Sequence, residues 1–339
     1  MKRIQGNYVT RKSRGKLIVN TEVKKICFEL RSLLEEAVKR NLAEGVLLSG
    51  GLDTSVLAVI ASKFTLLKGF TVAFQGFPAP DIKYAALMAS RLHLMNFVHY
   101  FDEDELYDAA RTVVKTMKSF DPMEIRNSAA ILIALKVAKE KGLKAVMTGD
   151  GCDELFAGYS FLFDLEKEKL DLELKKLCES MSFSSVPLAK TLGLEAKLPY
   201  LYPDFKAFAM KLDSGYKVKT EKGNVWGKWI IRKAFENMLP EEVAWRVKMP
   251  VEQGSGTTVL PSLLDRSIAD VEFEEKRTKY LKEDKVMIRS KEQLLYYEIY
   301  RAVVGVPHPV DPKGKLCPQC NSNVERDSAY CRTCGAYPI

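Results

Sequence analysis

The first of two glycine-rich segments in this sequence, Ser49-Gly50-Gly51-Leu52-Asp53-Thr54-Ser55, combines residue types that bind phosphate groups. Its two glycines allow the backbone to approach a phosphate closely, and free N–H groups at the start of a following helix attract an anion. Hydroxyl groups at 49, 54 and 55 add hydrogen-bond donors. Because a bare carboxylate at position 53 would repel a phosphate, the segment also implies a hard cation such as Mg²⁺. It lacks the Gly-Lys-Ser/Thr of a Walker A loop.

The second segment, Thr148–Tyr159 (TGDGCDELFAGY), places three carboxylates among glycines: Asp150, Asp153 and Glu154. Carboxylates so close together repel one another, and this repulsion destabilises the folded protein unless another charge offsets it. A metal ion with pyrophosphate would supply the missing charge, so the segment indicates a metal-assisted reaction. The alternative is an acidic turn exposed to water, but the apolar pair that follows at 155–156 argues against it.

Four of the seven cysteines form two matched pairs, Cys317-x-x-Cys320 and Cys331-x-x-Cys334. Four thiolates at this spacing are typical of a closed, tetrahedral zinc site. A redox-active pair is the alternative, and the presence of two matched pairs argues against it. The other three cysteines are predicted to be small buried residues.

Short apolar strands alternate with amphipathic helices around both glycine-rich segments. The pattern predicts strands at the start of the first segment and over 70–74, 97–100 and 143–148. It predicts helices over 26–40, 55–64, 81–92, 103–117 and 124–141. Such alternation is typical of an α/β fold with a doubly wound parallel sheet, whose ligands bind at the carboxyl ends of the strands. After residue 155 the pattern becomes mostly helical.

The composition of the 339-residue chain, 47% hydrophobic and 28% charged, excludes collagen-like, fibrous and wholly disordered proteins. No apolar run reaches the length of a membrane span, and the first residues do not resemble a signal peptide, so we expect a cytoplasmic protein. The net charge is +8, and residues 1–21 carry six Lys or Arg with no carboxylate. This basic arm, 1–22, either binds nucleic acid or, as we favour, is a surface arm such as a hairpin.

The first segment resembles the phosphate-binding loop of the PP-loop ATP pyrophosphatase superfamily, and the second resembles a segment of the synthetase domain of the asparagine synthetase family. Two further matches follow in the family's order, at 193–201 (GLEAKLPYL) and across 228–248 (KWIIR, then LP, then RVK). The resemblance implies a PP-loop domain over 23–303 with a helical second half. The segment 304–316, which is rich in Pro and Gly, is predicted to be a linker, and the cysteine segment 317–339 resembles a small zinc ribbon.

Members of this family use ATP to adenylate a carboxylate, releasing pyrophosphate, and an amine then displaces AMP. By position, the resemblance implies that Asp53 and Asp153 bind Mg²⁺ and that Lys248 neutralises the transition state. It also implies that Tyr159 and Glu195 form an acid–base pair, and that Asp150 has a catalytic role. The nucleotide contacts implied by the resemblance are Ser49, Gly50, Gly51, Asp53, Thr54, Ser55, Val72, Phe74, Gly149, Asp150 and Glu154.

Alternatives remain open for two of these roles. The alternative for Lys248 is that it forms a solvated pair with Arg246. The alternative for Glu195 is a structural ion pair with Lys197. The family's Asp after the PFL motif is replaced here by Tyr202, which puts the family's aspartate pocket in doubt. The segment 121–128 either faces the acceptor or simply starts a helix.

We expect no glutaminase domain before the first segment, because that segment begins at residue 49 and position 2 is lysine rather than cysteine. The nitrogen would then be free ammonia, ammonia from a separate glutaminase subunit, or an amine of the substrate, and the acceptor would be a small-molecule carboxylate. Two other functions remain: a PP-loop tRNA-modifying enzyme that binds RNA through the basic arm and zinc ribbon, and a non-catalytic nucleotide-binding protein.

Overall fold

A computed structural model describes the backbone of residues 11–339 and the side chains from residue 21 onward. The first half of the predicted basic arm therefore lies outside the described residues. From residue 11 the chain is helical, and the first helix is α1 (Arg11–Arg40) rather than the predicted 26–40. Proline is absent from this stretch, which holds a single glycine, so nothing in it ends a helix. The predicted hairpin is wrong for residues 11–22.

Five parallel strands form the central sheet, in the order β3-β2-β1-β4-β5. They are β1 (Gly45–Leu47), β2 (Lys68–Phe74), β3 (Met95–Phe101), β4 (Ala145–Met147) and β5 (Glu195–Lys197). The strand order reverses between the adjacent strands β1 and β4, where Gly45 pairs with Val146. Each of these two strands leads into a glycine-rich segment. Both segments therefore lie where such sheets bind ligands.

The helices of the sheet-forming half are α2 (Leu52–Ala61), α3 (Asp81–Leu92), α4 (Glu103–Met117), α5 (Pro122–Glu140), α6 (Cys152–Phe156), α7 (Lys167–Ser180) and α8 (Ser185–Thr191). Those that follow β5 are α9 (Pro203–Lys211), α10 (Trp229–Phe235), α11 (Glu241–Ala244), α12 (Val251–Ser255), α13 (Leu260–Ser267), α14 (Asp270–Glu283) and α15 (Lys291–Val303). A small hairpin, β6 (Lys219–Glu221) with β7 (Asn224–Trp226), precedes α10.

Helices cover both faces of the sheet, which confirms the doubly wound prediction. One core joins the sheet to α1, α2, α9 and α10, and the other joins it to α4, α5 and α15. Because α5 leads into the parallel strand β4, its first turn lies at the carboxyl edge of the sheet. The side chain of Asp121 caps this turn by accepting from the backbone N–H of Met123, at 3.2 Å. Among the helices of the described residues, none is both long and apolar enough to cross a membrane.

The cysteine segment packs onto the domain instead of standing apart from it. Its four cysteines are buried in the same core as α5 and α15. The backbone N–H of Phe120 donates to the carbonyl oxygen of Thr333 at 2.7 Å, and Gln293 of α15 donates to that of Cys334 at 2.8 Å. This segment therefore supports the start of α5. The boundary between the PP-loop domain, the linker and the ribbon stays a prediction.

Candidate active site

Both glycine-rich segments border one cavity of about 390 Å³ at the switch point of the sheet. They approach so closely that a Cβ atom on Gly149 would lie 3.0 Å from the Cβ of Asp53. Any side chain at 149 would therefore push the segments apart. The predicted site residues that line this cavity are Ser49, Gly51, Asp53, Thr54, Val72, Gly149, Asp150, Asp153, Glu154, Tyr159 and Lys248.

A buried lysine joins the two segments. The Nζ atom of Lys228 lies 2.5 Å from a carboxylate oxygen of Asp53 and 2.7 Å from one of Asp153, and its side chain is only 4% exposed. Lys248 contacts the other oxygen of Asp153 at 2.6 Å. Burial raises the pKa of Asp153, but the two lysines outweigh burial and lower this pKa to about 2. Asp153 is therefore a carboxylate at any physiological pH.

The two aspartates fit the Mg²⁺ ion that the sequence implies. Lys228 touches both carboxylates, so their oxygens lie within a few ångströms of each other. The second oxygen of Asp53, Oδ1, is buried beside the cavity and has no hydrogen-bond partner among the described residues. A buried, ionised oxygen without a partner is costly unless a ligand completes it. Carboxylate oxygens are the ligands that Mg²⁺ prefers.

The segment at 193–201 supports both glycine-rich segments from below. The hydroxyl of Tyr200, which is fully buried, donates to the backbone carbonyl of Asp53 at 3.0 Å. Leu201 lies against Gly151, whose φ of +91° suits glycine and whose missing Cβ leaves room for the leucine. The third matching segment of the sequence is therefore a support of the site.

Arg246 is a buried part of the site, so the alternative of a solvated pair is wrong for this residue. It is 8% exposed, contacts Asp81 of α3 at 2.7 Å and donates to the carbonyl oxygen of Ser49 at 3.0 Å. Its guanidinium also lies over the ring of Tyr84, 4.0 Å from the centroid. Burial raises the pKa of Asp81, and Arg246 partly offsets this effect. The arginine thus fixes the first segment to α3.

The remaining carboxylates of the second segment are held by hydroxyl groups. Asp150 accepts hydrogen bonds from Thr148, at 2.8 Å, and from Ser185 at the start of α8. Tyr159 donates to Glu154 at 2.6 Å. Burial raises the pKa of both carboxyl groups, of Asp150 and of Glu154. The hydrogen-bond partner of Tyr159 is therefore Glu154, whereas the sequence analysis paired this tyrosine with Glu195.

Glu195 does not belong to the cavity, which corrects the sequence-based assignment. It is the first residue of β5 and pairs with Ala145, at the amino end of the parallel strands and opposite the site. Its side chain is 64% exposed and contacts Lys197 at 2.6 Å. The structural ion pair, the alternative in the sequence analysis, is what the structure contains.

Three predicted nucleotide contacts do not line the cavity. Phe74 packs against Phe101 and Phe77 in the core, whereas Val72, two residues earlier, does border the cavity. Gly50 packs against Tyr84 of α3. Ser55 is fully buried in α2, and its hydroxyl finds no partner among the described residues. These three remain close neighbours of the site without facing it.

The cavity also includes residues that lie outside the predicted site residues. Glu124 and Asn127 border it from the first turns of α5, and the segment 182–185 borders it from the start of α8. Of the two alternatives for 121–128, the structure shows the helix start, and two residues of that start border the cavity. Lys228 and Arg232 also line the cavity, and the sequence indicated them only through their place in a segment that matches the family. The spacing of a motif does not show which buried residues its side chains contact.

The four C-terminal cysteines meet in one buried cluster whose sulfur atoms lie within 4.8 Å of one another. The Sγ atoms of Cys317 and Cys334 are 3.7 Å apart, and those of Cys320 and Cys331 are 3.6 Å apart. Zinc bound to four sulfurs at about 2.3 Å would place neighbouring sulfurs about 3.8 Å apart. The cluster thus fits the predicted Zn²⁺ site.

Comparison with known proteins identifies one family. The asparagine synthase family model matches residues 29–185 and 186–304. Asparagine synthetase B [glutamine-hydrolyzing] of Escherichia coli K12 is 30% identical over 307 residues, covering 82% of this chain and 54% of that protein. A probable asparagine synthetase [glutamine-hydrolyzing] of Schizosaccharomyces pombe is 31% identical over 284 residues, covering 72% and 50%. The chain thus spans about half the length of these curated relatives. A solved NMN synthetase from Francisella tularensis covers 83% of this chain and 94% of its own, with a TM-score of 0.37 and 13% identity.

Proposed function

This chain belongs to the asparagine synthase family, and we propose that it is an ATP-dependent carbon–nitrogen ligase that forms an amide from a carboxylic acid. The observation that carries this proposal is the single cavity shared by the two glycine-rich segments, with Asp53 and Asp153 joined through Lys228. ATP, Mg²⁺ and a structural Zn²⁺ are the cofactors that we propose. A cytoplasmic location remains part of the proposal.

In the first step, an oxygen of the acceptor carboxylate attacks the α-phosphorus of ATP. The bond from this phosphorus to the bridging oxygen breaks, and pyrophosphate leaves with the electron pair. The hydroxyls of Ser49 and Thr54 and the backbone of 49–52 would hold the pyrophosphate, and Val72 would border the adenine. Mg²⁺ on Asp53 and Asp153 would neutralise phosphate charge. Lys248, which is 35% exposed at the mouth of the cavity, would stabilise the charge that develops on the phosphorus oxygens.

In the second step, a nitrogen attacks the acyl carbon, and the bond between that carbon and the AMP oxygen breaks. The nitrogen must lose a proton as the amide forms. Glu154 would accept it, because burial raises the pKa of this carboxyl and Tyr159 holds it at 2.6 Å. We therefore propose Glu154 and Tyr159 as the pair for this task. Glu195 lies outside the cavity and forms an ion pair with Lys197.

We propose that the nitrogen reaches the site as ammonia, supplied from glutamine by a separate glutaminase subunit. The support for this source is the name of the relatives, which are glutamine-hydrolyzing enzymes. Ammonium chloride would then replace glutamine in assays of this chain alone. The RNA-modifying alternative gains no support from these relatives.

An isotope experiment tests the adenylation step directly. The full chain is incubated with ATP, Mg²⁺ and a panel of carboxylic acids labelled with ¹⁸O in the carboxylate, with ammonium chloride present. We expect pyrophosphate release that depends on one acid, and one ¹⁸O atom in the AMP produced. Pyrophosphate–ATP exchange that requires tRNA, or ATP that is bound but never cleaved, would refute the proposal.

A further inference from the structure

The strand β3 forms one edge of the central sheet, and its outer side has no strand partner in the described part of the chain. On its inner side all seven of its residues pair with β2, in an unbroken parallel register. An edge strand directs alternate backbone N–H and C=O groups away from its sheet, where they can bind a further strand. The outer side of β3 can therefore accept an extended segment of another chain.

The sequence of β3 lacks the features by which edge strands normally avoid association. It contains no proline, no lysine, no arginine and no carboxylate over 95–101 (MNFVHYF), and its register has no bulge. Three of its large apolar side chains are nevertheless exposed: Met95 at 62%, Val98 at 41% and Tyr100 at 58%. Methionine and tyrosine are enriched at protein interfaces, and a long apolar edge strand favours pairing with another chain. The composition of β3 thus favours a partner that adds a strand.

The two ends of β3 carry opposite charges that are exposed to water. The basic residues Arg91 and His93 precede the strand, and the acidic residues Asp102, Glu103 and Asp104 follow it. None of these five side chains forms an ion pair with another described residue. An antiparallel strand with the same two ends would place acidic groups beside basic groups at both ends of the pair. This charge pattern is therefore complementary to itself.

We propose that β3 pairs antiparallel with β3 of a second copy of this chain, which joins the two five-stranded sheets into one. A two-fold axis would pass close to Val98, the middle residue of the strand, so that each copy presents the same surface to the other. The basic residues before one strand then lie beside the carboxylates after the other, and this complementarity fixes the register. A second copy is the favoured occupant because one strand supplies both halves of the match. The inference does not depend on the proposed function.

Sedimentation velocity of the full chain at pH 7, from about 1 to about 100 µM, tests this pairing. We expect a species of twice the 38.3 kDa of one chain, which dissociates as the NaCl concentration rises because exposed charge pairs are screened. Val98→Lys should weaken dimerisation at least about 100-fold, because it places two like charges beside the axis. Val225→Lys is the matched control, since Val225 is 42% exposed in a strand of the separate hairpin, and this variant should dimerise like the unmodified chain.

Exchange of the end charges tests the antiparallel arrangement and remains decisive if Val98→Lys does not fold. Arg91→Glu and Glu103→Arg should each weaken the homodimer about tenfold or more, because like charges then meet at both ends. An equimolar mixture of the two variants should regain the original affinity, since the mixed dimer again has opposite charges at each end. A chain that stays monomeric at 100 µM, equal dimerisation of the two valine variants, or a mixture no tighter than its components would overturn the proposal.

Discussion

Replacing Lys228 by methionine should destabilise the protein strongly, because this lysine is the shared counter-charge of two buried carboxylates. With contacts of 2.5 and 2.7 Å and an effective dielectric constant of about 20, each attraction is about 6 kcal/mol. Desolvation of three charges offsets most of this gain in the native protein. The variant loses the attraction but keeps Asp53 and Asp153 buried, so the expected loss in unfolding free energy is about 3–5 kcal/mol.

Urea denaturation at pH 8 in buffer without added Mg²⁺, followed by far-UV circular dichroism, measures this loss. Methionine is suitable because it has a similar length and, like lysine, is a non-glycine residue in the positive-φ conformation that position 228 requires, at +54°. Lys233→Met is the matched control, in the helix α10 that begins directly after Lys228. Lys233 pairs with Glu221 and Glu236 near the surface, and such pairs contribute about 1 kcal/mol or less.

Equal stability of Lys228→Met and Lys233→Met would refute this reasoning. It would mean that Asp53 and Asp153 do not depend on the lysine for charge compensation and that the two glycine-rich segments are held together by other contacts. A loss confined to Lys228→Met, accompanied by loss of pyrophosphate release, is the expected result.

Further predictions concern four other residues. Asp53→Asn should lower pyrophosphate release at least about 100-fold while circular dichroism shows a folded protein, since a neutral amide is a poor ligand for Mg²⁺. Glu195→Gln should change kcat by less than about twofold, because the side chain is outside the cavity; a large drop would restore its predicted catalytic role. Lys217→Met should raise the unfolding free energy by up to about 3 kcal/mol at pH 7, because burial lowers the pKa of this lysine to about 8 from about 10.4 in the unfolded chain, and protonation of the buried amine opposes folding. This gain is complete below pH 8 and should disappear as the pH rises towards 10.4, which urea titrations at pH 7 and pH 10 would show. Cys317→Ser should reduce the zinc content from one per chain, measured by atomic absorption, and lower the melting temperature; unchanged values would contradict a structural metal.

The alternation of apolar and polar residues was sufficient to predict most of the sheet and the course of α3, α4 and α5. It failed for β5, which has only three residues, two of them charged, and so shows no strand pattern. The start of α1 was also missed, because the helical periodicity before residue 26 is masked by basic residues. Local patterns predict long, amphipathic elements well, but a three-residue edge strand is determined by its neighbours in the sheet.

The motifs predicted most of the residues that line the cavity, because the spacing of glycines and carboxylates is typical of sites that bind phosphate and metal ions. They did not reveal Lys228 as the bridge between Asp53 and Asp153, because this contact joins residues 175 apart in the chain. The error at Glu195 has a similar origin: a residue matched by motif position was assigned to the site, although it begins its strand at the amino edge of the sheet, opposite the edge that carries the cavity. The sequence analysis also did not single out Glu124, which borders the cavity from the first turn of α5. Hydrophobic periodicity predicts the helix but does not show which residues of its first turn border a cavity.

The docking of the cysteine segment on the start of α5 has a consequence for synthesis of the enzyme. Ser119 bonds to the backbone of Arg332, 213 residues later, and Tyr330 bonds to Asp121, the cap of α5. The start of α5, which borders the cavity, therefore gains this support only after residues 330–332 have been synthesised, more than 200 positions further along the chain. If Zn²⁺ binds the four cysteines as proposed, its removal would also loosen the start of α5, so metal depletion would act on the cavity from a distance.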